Sequence, residues 1–337
     1  MGIALGPGHA RCLWFVAPGE VELATEELPP VEDGQVLVRT LFSGISSGTE
    51  LLAYRGELDP DLAVDETIGT LGGTFRYPFR YGYSCVGVVE ASRSAVAEGT
   101  LVFAFQPHQD CFVATADDVV ALGAVAARDA SLFPLVETAL QITLDAGPLL
   151  GDTVVVFGLG VVGLLTALLV QRAGAHVVAV EPRAWRRAAA ADLGVLAVDP
   201  EQLSGTLSSD GRPPLVPLVI EASGNPEVLR TALGTLAHEG TALVASWYGT
   251  KEVTLPLGQE FHRRRLTIRS TQVSTIPAHL ADRWDTVRRR AAVVDLLAEL
   301  PLAALATHTF PFEDASDAFA EIDKGSEGVI HTAFGYR

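Results

Sequence analysis

The sequence predicts an α/β protein: a β-rich first domain joined to a doubly wound parallel sheet with helices on both faces. Three observations predict it. Up to about residue 120, apolar residues come in short runs broken by Gly and Pro, as in GQVLVRTLFSGI and YSCVGVVEAS. From about Asp129 the chain alternates strand-like and helix-like segments at the spacing of βαβ units. The tail HTFPFEDASDAFAEIDKGSEGVIHTAFGYR reads strand, helix, strand, and has no sheet of its own to join. These place one domain over residues 1–125, completed by 305–337, and the second over 126–304.

Taken in order, LWFVAPGEVELATEEL holds short strands, and TLVFAFQ holds another. Between them, Tyr54 to Tyr81 shows little periodicity and several Gly, Asp and Pro, so it reads as one long loop, functional or mobile. ASLFPLVETALQITLDAG has helical spacing and stops at Gly147-Pro148. DTVVVFG is a strand and VGLLTALLVQRAG a helix; HVVAVE is a strand and AWRRAAAADLG a helix. LVPLVIEAS and TALVASWYG are strands, with PEVLRTALGTLAHEG the helix between them. The chain has no internal repeat and no low-complexity segment.

Composition narrows the function. Of 337 residues, 48% are hydrophobic and 19% charged, enough for sizeable cores. The net charge of −17, with no Lys/Arg block forming a stripe, argues against nucleic acid as a partner. The basic spots His262-Arg263-Arg264-Arg265 and Arg288-Arg289-Arg290 read as solvated faces. Cys12, Cys85 and Cys111 form neither a disulfide framework nor a zinc lobe. MGIALGPGHARCLWFVAPG lacks the pattern of a signal peptide. The longest uncharged run, Val154 to Val170, is short for a bilayer span and holds three glycines, so no membrane association is expected. A cytoplasmic protein is the expectation.

FGLGVVG places Gly158, Gly160 and Gly163 in GxGxxG spacing between a strand and a helix. Gly158 permits a tight turn, Gly160 lets backbone approach a pyrophosphate, and Gly163 lets helix and strand pack closely. Val161 and Val162 open the helix whose N-terminus offers free N–H groups. Glu181 ends the next strand, where an acid accepts hydrogen bonds from a ribose diol, which favours NAD(H). Arg183, Arg186 and Arg187 follow closely and keep NADP(H) as the alternative. EASGNP, with Ala222 and Ser223, suits the rim of a cofactor crevice, or a helix start capped by Ser223 or Asn225.

With these residues in place, the sequence resembles the medium-chain dehydrogenase/reductase superfamily along nearly its whole length. SGISSGTE and YGYSCVGVVE are most similar to its bacteriochlorophyllide-dehydrogenase-like branch. The resemblance implies a GroES-like catalytic domain built from both termini around a central Rossmann domain. It also implies an active site in the cleft between them, and a homodimer. Zinc members of the family carry G-I-C-G-T-D and G-H-E. Here Ser47 stands at the ligand cysteine, Thr49 at the proton-relaying hydroxyl and Glu50 at the acid, with one extra residue before Ser47. Tyr83 stands at the ligand histidine, and the four-cysteine structural lobe is absent. Hydroxyls are poor neutral zinc ligands, so no zinc is expected. Glu50, His108 and Glu137 are the donors left for a rebuilt site.

The expected activity is a zinc-independent, NAD(P)-dependent oxidoreductase acting on a small secondary alcohol or ketone. Tyr83 would donate or accept the proton, Thr49 and Ser47 would relay it or orient the substrate, and Glu50, His108 and Glu137 would tune the relay. Two other readings stand beside it: an enone or quinone reductase on the same scaffold, and a non-catalytic nucleotide-binding protein. The long loop and Trp247-Tyr248 are expected to shape a pocket for a bulky substrate.

Overall fold

Alternation of buried and exposed residues makes β1 (His9–Ala17) a half-buried strand, and Gly19 turns it back into β2 (Glu20–Glu27). A computed structural model describes residues 8–208 and 215–337. The chain divides into two units: Met1–Pro134 with Arg290–Arg337, and Leu135–Arg289. The opening MGIALGP, part of the stretch read for a leader, lies outside the described residues.

In the first unit β3 (Gln35–Ile45) runs into α1 (Ser47–Arg55), which Gly56 ends in the left-handed conformation. The helix therefore takes the start of the segment expected to be loop. The irregular stretch begins at Gly56 and runs to β4 (Phe79–Arg80), which pairs with β1. It is not a loose excursion. Leu58, Val64, Leu71 and Phe75 are buried in one cluster with Leu51, Leu52 and Tyr54 of α1. Apolar anchors at this spacing explain how so long a segment without regular structure stays packed.

β5 (Cys85–Ser92), β6 (Leu101–Ala104), β7 (Cys111–Thr115) and β8 (Val119–Ala121) complete the antiparallel part of the unit. A short helix α2 (Ala127–Ala130) leads to α3 (Phe133–Ala146), in which the unit boundary falls.

The second unit is a Rossmann sheet. Its elements are β9 (Thr153–Phe157), α4 (Val161–Arg172), β10 (His176–Val180), α5 (Ala184–Asp192), β11 (Ala197–Val198), α6 (Leu203–Leu207), β12 (Val216–Glu221), α7 (Pro226–Thr235), β13 (Leu236–Val244) and β14 (Thr267–Ser270). The order is β11-β10-β9-β12-β13-β14, all parallel. The long uncharged run from Val154 resolves into β9 and α4. Among the described residues no helix is long and apolar enough to cross a membrane. The helix expected through Gly240 stops at Thr235, because Leu236 enters the core and pairs with Val216 of β12.

α8 (Thr286–Glu299) returns the chain to the first unit. There β15 (His308–Pro311), α9 (Ala315–Lys324) and β16 (Thr332–Gly335) follow, and β16 pairs antiparallel with β3 through Thr332–Ile45. The run Arg288–Arg290, expected to be solvated, is so only in part: Arg288 is exposed, but Arg289 is buried and its Nε lies 3.0 Å from Glu137 Oε1.

Candidate functional site

Two groups of residues stand out, one in each unit. In the first, GISSGTE spans the end of β3 and the start of α1. Ser46 is the residue before the helix and Ser47 its first residue. Glu50 turns back, and its Oε1 accepts the Ser46 N–H at 2.8 Å, satisfying one of the first-turn donors. The other carboxylate oxygen, Oε2, meets His108 Nε2 at 2.8 Å, and neither side chain has any exposed surface. His108 Nδ1 lies 2.7 Å from Ser43 Oγ, and Ser43 Oγ lies 2.7 Å from the Tyr336 hydroxyl.

The carboxylate fixes the polarity of this string. Glu50 accepts, so His108 Nε2–H donates. In the tautomer that carries its hydrogen on Nε2, Nδ1 accepts from Ser43, and Ser43 accepts from Tyr336. Phe334 closes one side of the imidazole edge-on, with ring centroids 5.1 Å apart. Gly82 closes another: a β-carbon there would sit 2.5 Å from His108 Cδ2.

Tyr83 follows Gly82 and is half-buried against the core of the first unit. Burial pushes its hydroxyl up to about 12; the charge of Glu50 adds to the rise, and hydrogen bonds with the Ser46 and Thr49 side chains oppose it. Tyr83, Thr49, Glu50 and His108 are thus brought together, with Ser47 beside them in the chain at the start of α1. Ser43, Ser46 and Tyr336 belong to the same group and were missed. Ser43 sits inside an apolar strand where only an inward-facing hydroxyl hinted at a role. Nothing local marks Tyr336.

Glu137 belongs to the second unit. It lies on α3, buried rather than exposed, with Arg289 at 3.0 Å; Arg289 also donates to Gln141 Oε1 at 2.6 Å. Its geometry is that of a structural ion pair.

Does the first group suit zinc? The positions at issue carry the hydroxyls of Ser47 and Tyr83, and the neighbouring carboxylate and imidazole satisfy each other. Among the described residues no three His, Cys, Asp or Glu converge as a metal site. The hydroxyls of Ser47 and Tyr83 do not match zinc's preference for thiolate, imidazole and carboxylate; Glu50 and His108 are of a matching type but are bonded to each other.

The second group surrounds the glycine turn after β9. Gly158 has φ +88°, and a β-carbon on it would meet Ser223 Cα at 2.5 Å. A β-carbon on Gly163 would lie 1.9 Å from the Gly158 carbonyl oxygen, so only glycine lets α4 approach the turn. Gly160 precedes α4, and a β-carbon there would meet nothing within 4 Å, leaving its backbone open to an incoming pyrophosphate. Val161 and Val162 are the first residues of α4. These residues fit a dinucleotide.

Glu181 follows β10, nearly fully buried. It accepts from the Leu159 and Arg183 N–H groups, both at 3.0 Å, with Arg186 3.7 Å away. Its carboxylate therefore ties the glycine turn to the start of α5. Ala222 N–H donates to the Phe157 carbonyl at 2.9 Å, locking the β12 rim to β9. Asn225, not Ser223, caps α7, accepting the Glu227 N–H at 3.1 Å. Ser223 instead donates from both its N–H and its hydroxyl to Glu221. Tyr248, expected to shape a substrate pocket, also donates to Glu221, at 2.5 Å, while Trp247 is exposed.

Known proteins share the fold. A zinc-binding dehydrogenase family profile matches residues 161–291. The chain is 28% identical to the 2-desacetyl-2-hydroxyethyl bacteriochlorophyllide A dehydrogenase of Cereibacter sphaeroides, over 90% of this chain and 91% of that one. Among solved structures it resembles a short chain alcohol dehydrogenase of Escherichia coli complexed with NADH. That match has a TM-score of 0.77, 19% identity and coverage of 97% and 99%. It also resembles a zinc-binding dehydrogenase of Sinorhizobium meliloti bound to NADP, with a TM-score of 0.75, 18% identity and coverage of 97% and 99%. At these identities the two structures establish the fold.

Proposed function

We propose, on the premise that this chain belongs to the medium-chain dehydrogenase/reductase superfamily and is one of its dehydrogenases, that it interconverts a secondary alcohol and a ketone with NAD(H) and without zinc. The observation that carries this reading is hydroxyl chemistry at Ser47 and Tyr83, backed by a Glu50–His108 pair whose donors and acceptors are already matched.

The nicotinamide supplies the hydride when bound. Tyr83, kept protonated at neutral pH, donates a hydrogen bond to the carbonyl oxygen and gives up its proton as negative charge develops there. Ser46 and Thr49 hold the Tyr83 oxygen and relay back to it a proton taken up from solvent. Ser47, on the first turn of α1, orients the substrate oxygen. In the opposite direction the alcohol proton leaves by the same hydroxyls. Gly158, Gly160 and Gly163 seat the pyrophosphate, and Glu181 supports NAD(H); the nearby Arg183 and Arg186 make NADP(H) the alternative.

A homodimer is expected, supported by β14, whose outer edge is left uncovered by the sheet. Light scattering on the purified chain measures it. Three buried thiols without disulfides suit the reducing cytoplasm.

The test is elemental analysis of purified, tag-free protein together with turnover of Tyr83→Phe. The reading expects less than stoichiometric zinc, activity that survives chelation, and ketone reduction about 10²-fold slower in the variant at unchanged stability. One zinc per chain, lost with activity on chelation, would replace it with a rebuilt metal site. Turnover of enones but not ketones would replace it with carbon–carbon double-bond reduction.

A further inference from the structure

Glu221 is a carboxylate that this scheme leaves unused. It ends β12 and pairs in register with Phe157, the residue before Gly158. Its side chain is fully buried. Among the described residues its hydrogen-bond partners are all neutral: the Ser223 N–H at 2.7 Å, the Ser223 hydroxyl, and the Tyr248 hydroxyl at 2.5 Å. The Ser223 N–H can only donate, and both hydroxyls are free to donate as well, so the two oxygens of an acceptor-only carboxylate are fully served here. Burial, and then Glu221 itself, raise the Tyr248 hydroxyl far above its ordinary range, so Tyr248 remains a donor and brings no charge. A buried charge among neutral partners is unfavourable unless an opposite charge reaches it.

The strand order says what could bring that charge. In a 3-2-1-4-5-6 sheet each half takes one nucleotide. β9, β10 and β11 form the half whose acid, Glu181, suits the adenosine ribose. β12, β13 and β14 form the other half, so the nicotinamide falls to Glu221's side of the crevice. The oxidised nicotinamide ring is cationic and the reduced ring is neutral.

We propose that Glu221 determines which redox form of the nicotinamide nucleotide binds more tightly, its buried negative charge favouring the oxidised form over the reduced one. The inference rests on the reading of the chain as a nicotinamide-dependent enzyme and is independent of the zinc question and of the substrate. It also makes Ser223 and Tyr248 part of the cofactor site, as the donors that hold the charge in place.

The test is calorimetric titration of the full-length chain and of Glu221→Gln with NAD+ and with NADH, repeated with NADP+ and NADPH. Glutamine keeps the shape and still accepts from Ser223. The expected result is a Kd for the oxidised form about tenfold weaker in the variant, equivalent to about 1.4 kcal/mol, with the reduced form nearly unaffected. Equal weakening of both forms, or no change in either, would overturn the inference and leave Glu221 a structural clasp. Tyr248→Phe removes a donor but keeps the charge, and should preserve the preference for the oxidised form; its loss there would also overturn the inference. Thermal melts confirm that each variant is folded. If the unmodified chain binds none of the four nucleotides, the proposed function fails as well, a result distinct from the others.

Discussion

Glu50 Oε2 and His108 Nε2 meet at 2.8 Å with no water-accessible surface on either side chain. In Glu50→Gln the charge is lost, and the glutamine must present its oxygen to the imidazole N–H. Removal of a charged acceptor from a buried hydrogen bond should destabilise the protein by about 1–3 kcal/mol, read by urea unfolding. The same variant removes a charge that raises the Tyr83 hydroxyl, so the Tyr83 proton affinity falls. The alkaline limb of the ketone-reduction profile should therefore move to lower pH. An unmoved limb would mean that Tyr83 is not the donor.

Gly82→Ala should be more damaging than its size suggests. The residue has φ +99°, and its β-carbon would fall 2.5 Å from the imidazole. Left-handed strain alone costs about 1–2 kcal/mol, and displacement of His108 adds to it. The expected outcome is a clear drop in melting temperature with loss of turnover, and nucleotide affinity retained.

Glu137→Ala separates structure from catalysis. It leaves Arg289 buried without its carboxylate, which should cost about 3–5 kcal/mol. Turnover per folded molecule should stay unchanged, because Glu137 is engaged by Arg289. A preserved melt with a collapsed kcat would return Glu137 to the catalytic group.

His331 should make the protein acid-sensitive. It is buried, and Ser131 Oγ, which donates to the Arg128 carbonyl at 2.6 Å, faces its Nε2 at 3.3 Å. Among the described residues its Nδ1 has no partner. Burial, and then Arg128, push the imidazole down to about 3. The unfolded chain takes up the proton near pH 6.5 while the folded chain resists it. Stability is thus full above about pH 6.5 and declines toward pH 3, by up to about 1.4 kcal/mol per pH unit. His331→Gln should flatten that slope between pH 6 and 4 in unfolding titrations.

The second unit was the more legible in the sequence. Its strands are continuous apolar runs and its glycines mark a turn that steric contact makes obligatory, so local chemistry and fold coincide. The candidate group in the first unit was half legible. GISSGTE and Gly82-Tyr83 are local motifs, but the string from Glu50 to Tyr336 joins residues from β3, α1, the segment before β7 and the C-terminal tail. Such partners are chosen by packing at long sequence separation, which no local pattern encodes. Arg289 and Glu137 escaped for the same reason: an arginine in a basic triplet reads as solvated until a buried acid on another helix claims it.

The pairing of β16 with β3 has a consequence for biogenesis. The first unit's seven-stranded sheet is interrupted by residues 135–289, and the Phe42–Ile45 end of β3, beyond the part paired with β7, is covered only when β16 arrives. On the ribosome, β3 therefore waits through synthesis of the entire second unit, roughly ten to thirty seconds at common elongation rates. During that interval the nascent chain carries an unpaired strand edge and a buried-to-be His108 without its Tyr336 support, a window in which chaperone capture competes with aggregation.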